Sequence, residues 1–298
     1  MSYVLRPGRI AGAGPGRGEL EATIVLVGCG GTGGFLAEAL CRLLLGRRAS
    51  LFLVDPDRVE RTNVSRQAFD AADVGRFKSE VLAERLSRRF GGQVGYSVLP
   101  YETRLHDVAF GEPSHLALVV GAVDNAAARR AIATTLEERA PYGARENRPA
   151  PILWLDAGNA RNSGQVLLGN ALHPDQLHGA FDSADEACFA LPAPSLQRPD
   201  LLTSPPEPIR RPRRDCAVAV AEGDQGKTIN QMMASLLAAY VERLMDGTCG
   251  WMATYLDLDD GLLRFVPAEP HQVASVVGLH PNALLRHAGG HDRTPLEG

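Results

Sequence analysis

The most restrictive feature of this chain is a run of glycines set between an apolar strand and an apolar helix. Residues 22–28, Ala-Thr-Ile-Val-Leu-Val-Gly, form a short β-branched stretch. They lead into Gly28-Cys29-Gly30-Gly31-Thr32-Gly33-Gly34, and residues 35–45 then show helical spacing. A second apolar strand over 49–55 ends on Asp55. Strand, glycine turn, helix and strand make a βαβ unit. Glycines let the backbone pass close to a phosphate, and a helix N-terminus offers it free N–H groups and partial positive charge. A carboxylate closing the second strand can accept hydrogen bonds from ribose hydroxyls. The unit therefore points to a nucleotide, against the plainer reading of a tight packing turn. It does not choose between ATP and a nicotinamide cofactor, which would use the same three features.

The alternation continues downstream. Residues 78–90 and 125–140 have helical periodicity, and 93–99, 115–123, 151–158 and 165–170 read as strands. Repeated β–α alternation predicts a Rossmann-like three-layer α/β sandwich with a largely parallel, mixed sheet. The pattern breaks over 174–215, where Pro and Arg accumulate, and this stretch reads as an extended, mobile crossover. A long helix over 228–245 and a hairpin over 254–267, turning at Asp260-Gly261, follow. Residues 1–20 read as a flexible arm, 21–275 as one domain, and 276–298 as a polar, frayed tail.

Bulk properties exclude several classes. A formal charge of −4 over 298 residues carries no nucleic-acid footprint and no polybasic membrane patch. The sequence has no apolar run of spanning length and no signal-peptide core at its start, so a cytoplasmic location is expected. The five cysteines, Cys29, Cys41, Cys188, Cys216 and Cys249, contain no C-x-x-C pair.

Residues 54–78 decide between nucleotides. After Asp55 and Asp57 come Asn63, Arg66 and Gln67, and then Lys78 at the head of a helix. Hydride transfer has no use for two cations beside the phosphates. Adenylation does, because a carboxylate must approach the α-phosphate of ATP, anion to anion, and charge then builds on the leaving pyrophosphate. Arg66 is a planar fork suited to phosphate, and Lys78 is a point charge. Asp57 has two readings, a ligand or a turn residue and helix cap.

Taken in order, Gly28 to Gly33, Asp55-Pro56-Asp57, Asn63-Val64-Ser65-Arg66-Gln67, Asp73-Val74-Gly75-Arg76-Phe77-Lys78 and Asp124-Asn125 resemble the motifs of the ThiF/MoeB/ubiquitin-activating superfamily. Within it the chain most resembles the ThiF-like members of plasmid-associated PRTRC cassettes. The resemblance spans about a hundred residues strongly and runs more weakly to about residue 250. It implies an adenylation domain in which Gly31 faces the phosphates and Asp55 holds the ribose. Asn63, Arg66 and Lys78 would contact the triphosphate, with Gln67 beside them, and Asp124 would hold Mg²⁺.

The resemblance also implies a thiol that receives the acyl group, on the crossover before a long helix. Cys216 sits at that place, close behind Arg211, Arg213 and Arg214, which favour thiolate. Cys188 is its rival, and the alternative for Cys216 is a small buried residue at a helix start. Cys29 and Cys41 read as packing residues. Relatives often hold zinc through two C-x-x-C pairs. This chain has none, and His173, His178, His280, His287 and His291 lack ligand spacing, so no structural zinc is expected. An arginine of the N-terminal arm, Arg6, Arg9 or Arg17, could reach a partner subunit's site. Asp156-Ala157-Gly158-Asn159 could lie near an acceptor tail or be a plain strand connection.

The expected function is ATP-dependent adenylation of the C-terminal carboxylate of a small ubiquitin-like protein with a glycine tail, by a homodimer. The alternatives are an NAD-dependent oxidoreductase, in which Arg66 and Lys78 are dispensable, and a nucleotide-binding adaptor without turnover. A peptide or small acid as acceptor is a third variant.

Overall fold

In a computed structural model of the chain, the described residues are 3–6, 20–111, 114–139, 151–203 and 227–286. In chain order the elements are β1 (Val4–Leu5), β2 (Leu20–Val27), α1 (Gly31–Leu43), β3 (Ala49–Val54), α2 (Lys78–Phe90), β4 (Gly95–Ser97), α3 (Thr103–Ala109), β5 (Ser114–Gly121), α4 (Ala126–Glu138), β6 (Leu153–Asn159) and β7 (Ser163–Gly169). Then follow β8 (Phe181–Asp182), β9 (Ala187–Cys188), α5 (Pro194–Gln197), α6 (Lys227–Met245), β10 (Trp251–Asp257), β11 (Leu262–Pro267) and α7 (Pro270–Val277).

Eight strands form one sheet in the order β11-β10-β7-β6-β5-β2-β3-β4. From β4 to β6 the neighbours run parallel, and β6–β7, β7–β10 and β10–β11 are antiparallel. The parallel half is buried on both faces, which is why β2 and β5 are nearly continuous apolar runs. Alternate residues of β2 divide between two cores: Ile24 and Leu26 face one, Val25 and Val27 the other. The first core packs α1, α2 and α6; the second packs Ile132 and Leu136 of α4 against Trp154 of β6. The expected three-layer α/β sandwich with a mixed sheet is present.

Four expectations change. Helix α1 begins inside the glycine run rather than after it, because Gly31, Gly33 and Gly34 build its tightly packed first turn. The first residues do not all form a loose arm. Val4 and Leu5 pair in parallel with Ala187 and Cys188, and the Leu5 N–H donates to the Cys249 carbonyl at 2.8 Å. Residues 174–203 are not a mobile crossover. Leu177, Phe181, Cys188, Leu191 and Ala193 are fully buried, and this apolar content outweighs the prolines around them. The tail is likewise folded as far as the structure describes it. Leu284 is buried, and the Arg286 N–H donates to the Phe181 carbonyl at 2.8 Å. Helix α3 has no sequence counterpart above, since its seven residues are too few for a clear period.

Candidate functional site

Open α/β sheets bind ligands beyond the carboxyl ends of their parallel strands. A cavity of about 980 Å³ lies there, over the ends of β2, β3 and β5, and extends across β6, β7 and β10. Gly28, Gly30, Gly31, Asp55, Asp57, Asn63, Arg66, Gln67, Lys78 and Asp124 all line it. Residues separated by almost a hundred positions in sequence thus share one wall.

The glycine turn is shaped by close backbone approach. Gly28 has φ +96°, and a Cβ there would lie 2.5 Å from the Ala122 carbonyl oxygen. Gly33 does not line the cavity; a Cβ at that position would lie 1.8 Å from the Gly28 carbonyl oxygen. The first intrahelical bond of α1 runs from the Gly34 N–H to the Gly30 carbonyl at 2.9 Å. The N–H groups of Gly31, Thr32 and Gly33 therefore make no intrahelical bond and are available to an anion.

Asp55 ties this turn down. It is 5% exposed, its Oδ2 accepts the Cys29 N–H at 2.6 Å, and its Oδ1 accepts the Asp57 N–H at 2.8 Å. Burial raises its pKa, and the Cys29 hydrogen bond opposes the rise. A carboxylate has about four acceptor positions, so two bonds still leave room for a ribose hydroxyl.

Two cations face the cavity from different elements. Lys78 opens α2, is buried, and places Nζ 2.9 Å from Asp57 Oδ2. The Asp57 side chain is 68% exposed, so the pair sits at the cavity rim. The Asp-x-Gly motif before it is a positioning device. Asp73 accepts the Asp70 N–H at 2.7 Å and pairs with Arg85. Gly75 then turns the chain at φ +92° into the residues before Lys78. Arg66 rises from a tight turn: the Asn63 carbonyl accepts the Arg66 N–H at 3.0 Å and the Gln67 N–H at 2.9 Å, while Asn63 Oδ1 accepts the Glu60 N–H at 2.9 Å. The Arg66 guanidinium has no ion pair or hydrogen bond among the described residues. Gln67 Oε1 is buried without a hydrogen-bond partner among the described residues.

Asp124 follows β5 and is exposed to the cavity; its Oδ1 accepts from Asn125 Nδ2 at 3.2 Å. Asn125 caps α4 by accepting the Ala128 N–H at 2.8 Å. Among the described residues no three His, Cys, Asp or Glu side chains cluster to hold a metal ion. A single open carboxylate suits Mg²⁺, which is commonly held by one or two carboxylates plus substrate phosphates.

Several residues here were not singled out from the sequence. Arg129 is 6% exposed; its Nε pairs with Asp156 Oδ2 at 2.9 Å, and its Nη2 donates to the carbonyls of Val123 and Ala157. Burial lifts the Asp156 carboxyl to about 6, against the pull of Arg129. Asp156 is thus an internal strut, whereas Gly158 and Asn159 reach the cavity. Thr32 Oγ1 and Asn159 Nδ2 both donate to Asn230 Oδ1, each at 3.2 Å. Tyr101 also lines the cavity, its hydroxyl 2.6 Å from Nδ1 of the buried His106. Asn230 stands beside Thr228 and Gln231 in the polar first turns of α6, and no local pattern marks it.

Cys188 is fully buried, its Sγ donates to the Ala190 carbonyl at 3.3 Å, and burial raises its pKa. It is not an exposed nucleophile. Cys29, Cys41 and Cys249 are buried as well. Cys216 and Arg211, Arg213 and Arg214 lie outside the described residues, as do Arg9, Arg17, His287 and His291. Arg6 is held by its own chain, Nη1 donating to the Gly247 carbonyl at 3.0 Å, beyond the far end of α6 from Asn230. No helix among the described residues is long and apolar enough to cross a membrane.

The fold and this cavity define an α/β protein with a glycine turn and two cations lining one cavity at the ends of its parallel strands. The chain belongs to the ThiF family, whose family model matches residues 19–269. It is 29% identical over 185 residues to ubiquitin-like modifier-activating enzyme 5 of Xenopus laevis, covering 58% of this chain and 40% of that protein. It is 31% identical over 137 residues to the NEDD8-activating enzyme E1 catalytic subunit of Arabidopsis thaliana, covering 43% of this chain and 29% of that one. The alignments thus take in well under half the length of these two relatives. The crystal structure of selenomethionine PaaA shares the fold, with a TM-score of 0.51 and 18% identity over 84% of this chain and 65% of that one.

Proposed function

We propose that the chain is an ATP-dependent adenylating enzyme acting on the C-terminal carboxylate of a small ubiquitin-like protein. The observation that carries this reading is the shared cavity wall of the glycine turn, Asn63, Arg66, Lys78 and Asp124. Family membership and the names of its relatives support the same chemistry.

The glycine turn and the N-terminus of α1 receive phosphate oxygens, and Asp55 borders the ribose. Arg66 and Lys78 neutralise charge that builds on the phosphates. Lys78 exchanges its Asp57 partner for the triphosphate. Asp124 would hold Mg²⁺, which would supply further neutralisation of phosphate charge. A carboxylate oxygen of the acceptor attacks the α-phosphorus, the α–β P–O bond breaks, and pyrophosphate leaves. The glycine tail of the acceptor would lie beside the nucleotide along the strip of cavity over Gly158, Asn159, Gly164 and Tyr255. Cys216 then takes the acyl group, its thiolate attacking the acyl carbonyl and releasing AMP. A homodimer in the cytoplasm and a PRTRC-type setting complete the proposal.

ATP–pyrophosphate exchange tests it. Label should enter ATP only when a ubiquitin-fold protein ending in Gly-Gly is present. Exchange should survive Cys216→Ala and vanish in Lys78→Ala. Absence of exchange together with binding of NAD would replace this reading by an oxidoreductase, and ATP binding without exchange by an adaptor.

A further inference from the structure

The glycine turn has a second wall that faces away from the cavity. A Cβ on Gly31 would not point at the phosphates. It would lie 2.3 Å from Asn230 Nδ2 and 2.7 Å from Asn230 Cγ. Residue 31 is therefore bare on the side where Asn230 packs, while the same residue lines the cavity.

Asn230 is 1% exposed. Its Oδ1 gathers two cavity residues from different elements, Thr32 of α1 and Asn159 at the end of β6. Thr32 Oγ1 also lies 3.4 Å from Asn159 Oδ1. Its Nδ2 has no hydrogen-bond partner among the described residues. A buried donor without a partner is costly, and natural proteins keep few of them. Here the orphan N–H₂ lies directly behind the open N–H groups at the start of α1. Its positive edge adds to the helix N-terminal potential at the point where an anion is received. The place is dry, so the dipole is weakly screened.

We infer that Asn230 is a positioning residue for the phosphate end of the nucleotide, acting through bare Gly31 and through Thr32, and that it locks α6 and β6 to the glycine turn. This rests on the nucleotide part of the proposed function and not on the identity of the acceptor.

The test is binding of ATP and of adenosine to the full chain, by calorimetry at several pH values, for wild type, Asn230→Asp and Asn230→Ala. Asn230→Asp keeps the shape and replaces the positive edge by a buried carboxyl. At pH 8 it should weaken ATP roughly tenfold or more through like-charge repulsion. Adenosine, which has no phosphates, should bind as it does to wild type. The ratio of variant to wild-type ATP affinity should recover as pH falls and the new carboxyl protonates. Asn230→Ala should weaken ATP several-fold at every pH, again sparing adenosine. In Gly31→Ala the new methyl meets Asn230, so adding Asn230→Ala should restore part of the ATP affinity lost by Gly31→Ala alone. Equal losses for ATP and adenosine, or a pH-independent Asn230→Asp ratio, would reduce Asn230 to a packing residue and overturn the inference. Wild type that binds adenosine but gains nothing from the phosphates would overturn it together with the nucleotide reading. Wild type that binds ATP without ever exchanging pyrophosphate would sink the proposed function alone.

Discussion

Replacing Lys78 by Met separates a ligand-binding cation from a structural one. Lys78 is buried at the first position of α2, with Nζ 2.9 Å from Asp57 Oδ2. A unit charge about 4 Å from a phosphate, at an effective dielectric near 20, contributes roughly 4 kcal/mol. In the free protein the same ammonium is held by Asp57, and a pair with one partner this exposed contributes about 1 kcal/mol or less. The net loss of ATP affinity is then about 3 kcal/mol, or roughly two powers of ten. Met keeps the apolar stem, and Asp57 returns to water, so unfolding free energy should change by no more than about 1 kcal/mol. Calorimetric titration with ATP and Mg²⁺, run beside urea unfolding, reads both numbers. ATP affinity within threefold of wild type, or a stability loss as large as the binding loss, would refute the reasoning. Asp57→Asn completes the pair. Releasing Lys78 should leave ATP binding equal to wild type or up to about fivefold tighter. A marked loss would instead make Asp57 a ligand.

Gly33→Ala should cost more than about 3 kcal/mol, since its Cβ would lie 1.8 Å from a backbone oxygen; an urea midpoint near that of wild type would contradict the packing of the turn. Asp156 titrates near 6 when folded, against 3.8 when unfolded. Because the protonated form is favoured in the native state, the contribution is full below pH 4 and is lost as pH rises through 6. The difference of roughly 2 pKa units amounts to about 3 kcal/mol. Asp156→Asn should remove that slope from the stability profile, and parallel profiles would argue against a buried carboxyl. Cys29, Cys41, Cys188 and Cys249 are buried, so iodoacetamide at neutral pH should leave them unmodified until the protein unfolds. Rapid labelling of Cys188 would reopen it as the acyl acceptor.

Much of the sheet and most of the expected site were legible because they rest on local patterns. The β2 and β5 runs announce strands buried on both faces, and the glycine turn, Asp55 and Lys78 sit at the junctions of elements. What escaped depends on tertiary contact. Residues 174–203 look like an extended linker by composition, yet Phe181 and Leu191 find apolar surface that no local period reveals. Val4 and Leu5 are a strand only because Ala187 and Cys188 lie beside them. Asp156 resembled part of an acceptor lane until Arg129, 27 residues earlier, proved to claim it. Asn230 has no motif around it, and its meaning comes from the bare side of Gly31.

In the proposed reaction this cavity directs attack at the first phosphorus of ATP. The fate of ATP labelled at the α and γ positions tests it most directly, in the presence of a ubiquitin-fold protein ending in Gly-Gly. Free pyrophosphate should form together with AMP, held on the acceptor in Cys216→Ala and released by acyl transfer in the wild type, and neither product should form in Lys78→Met. ADP with inorganic phosphate, or unchanged ATP beside bound NAD, would contradict it.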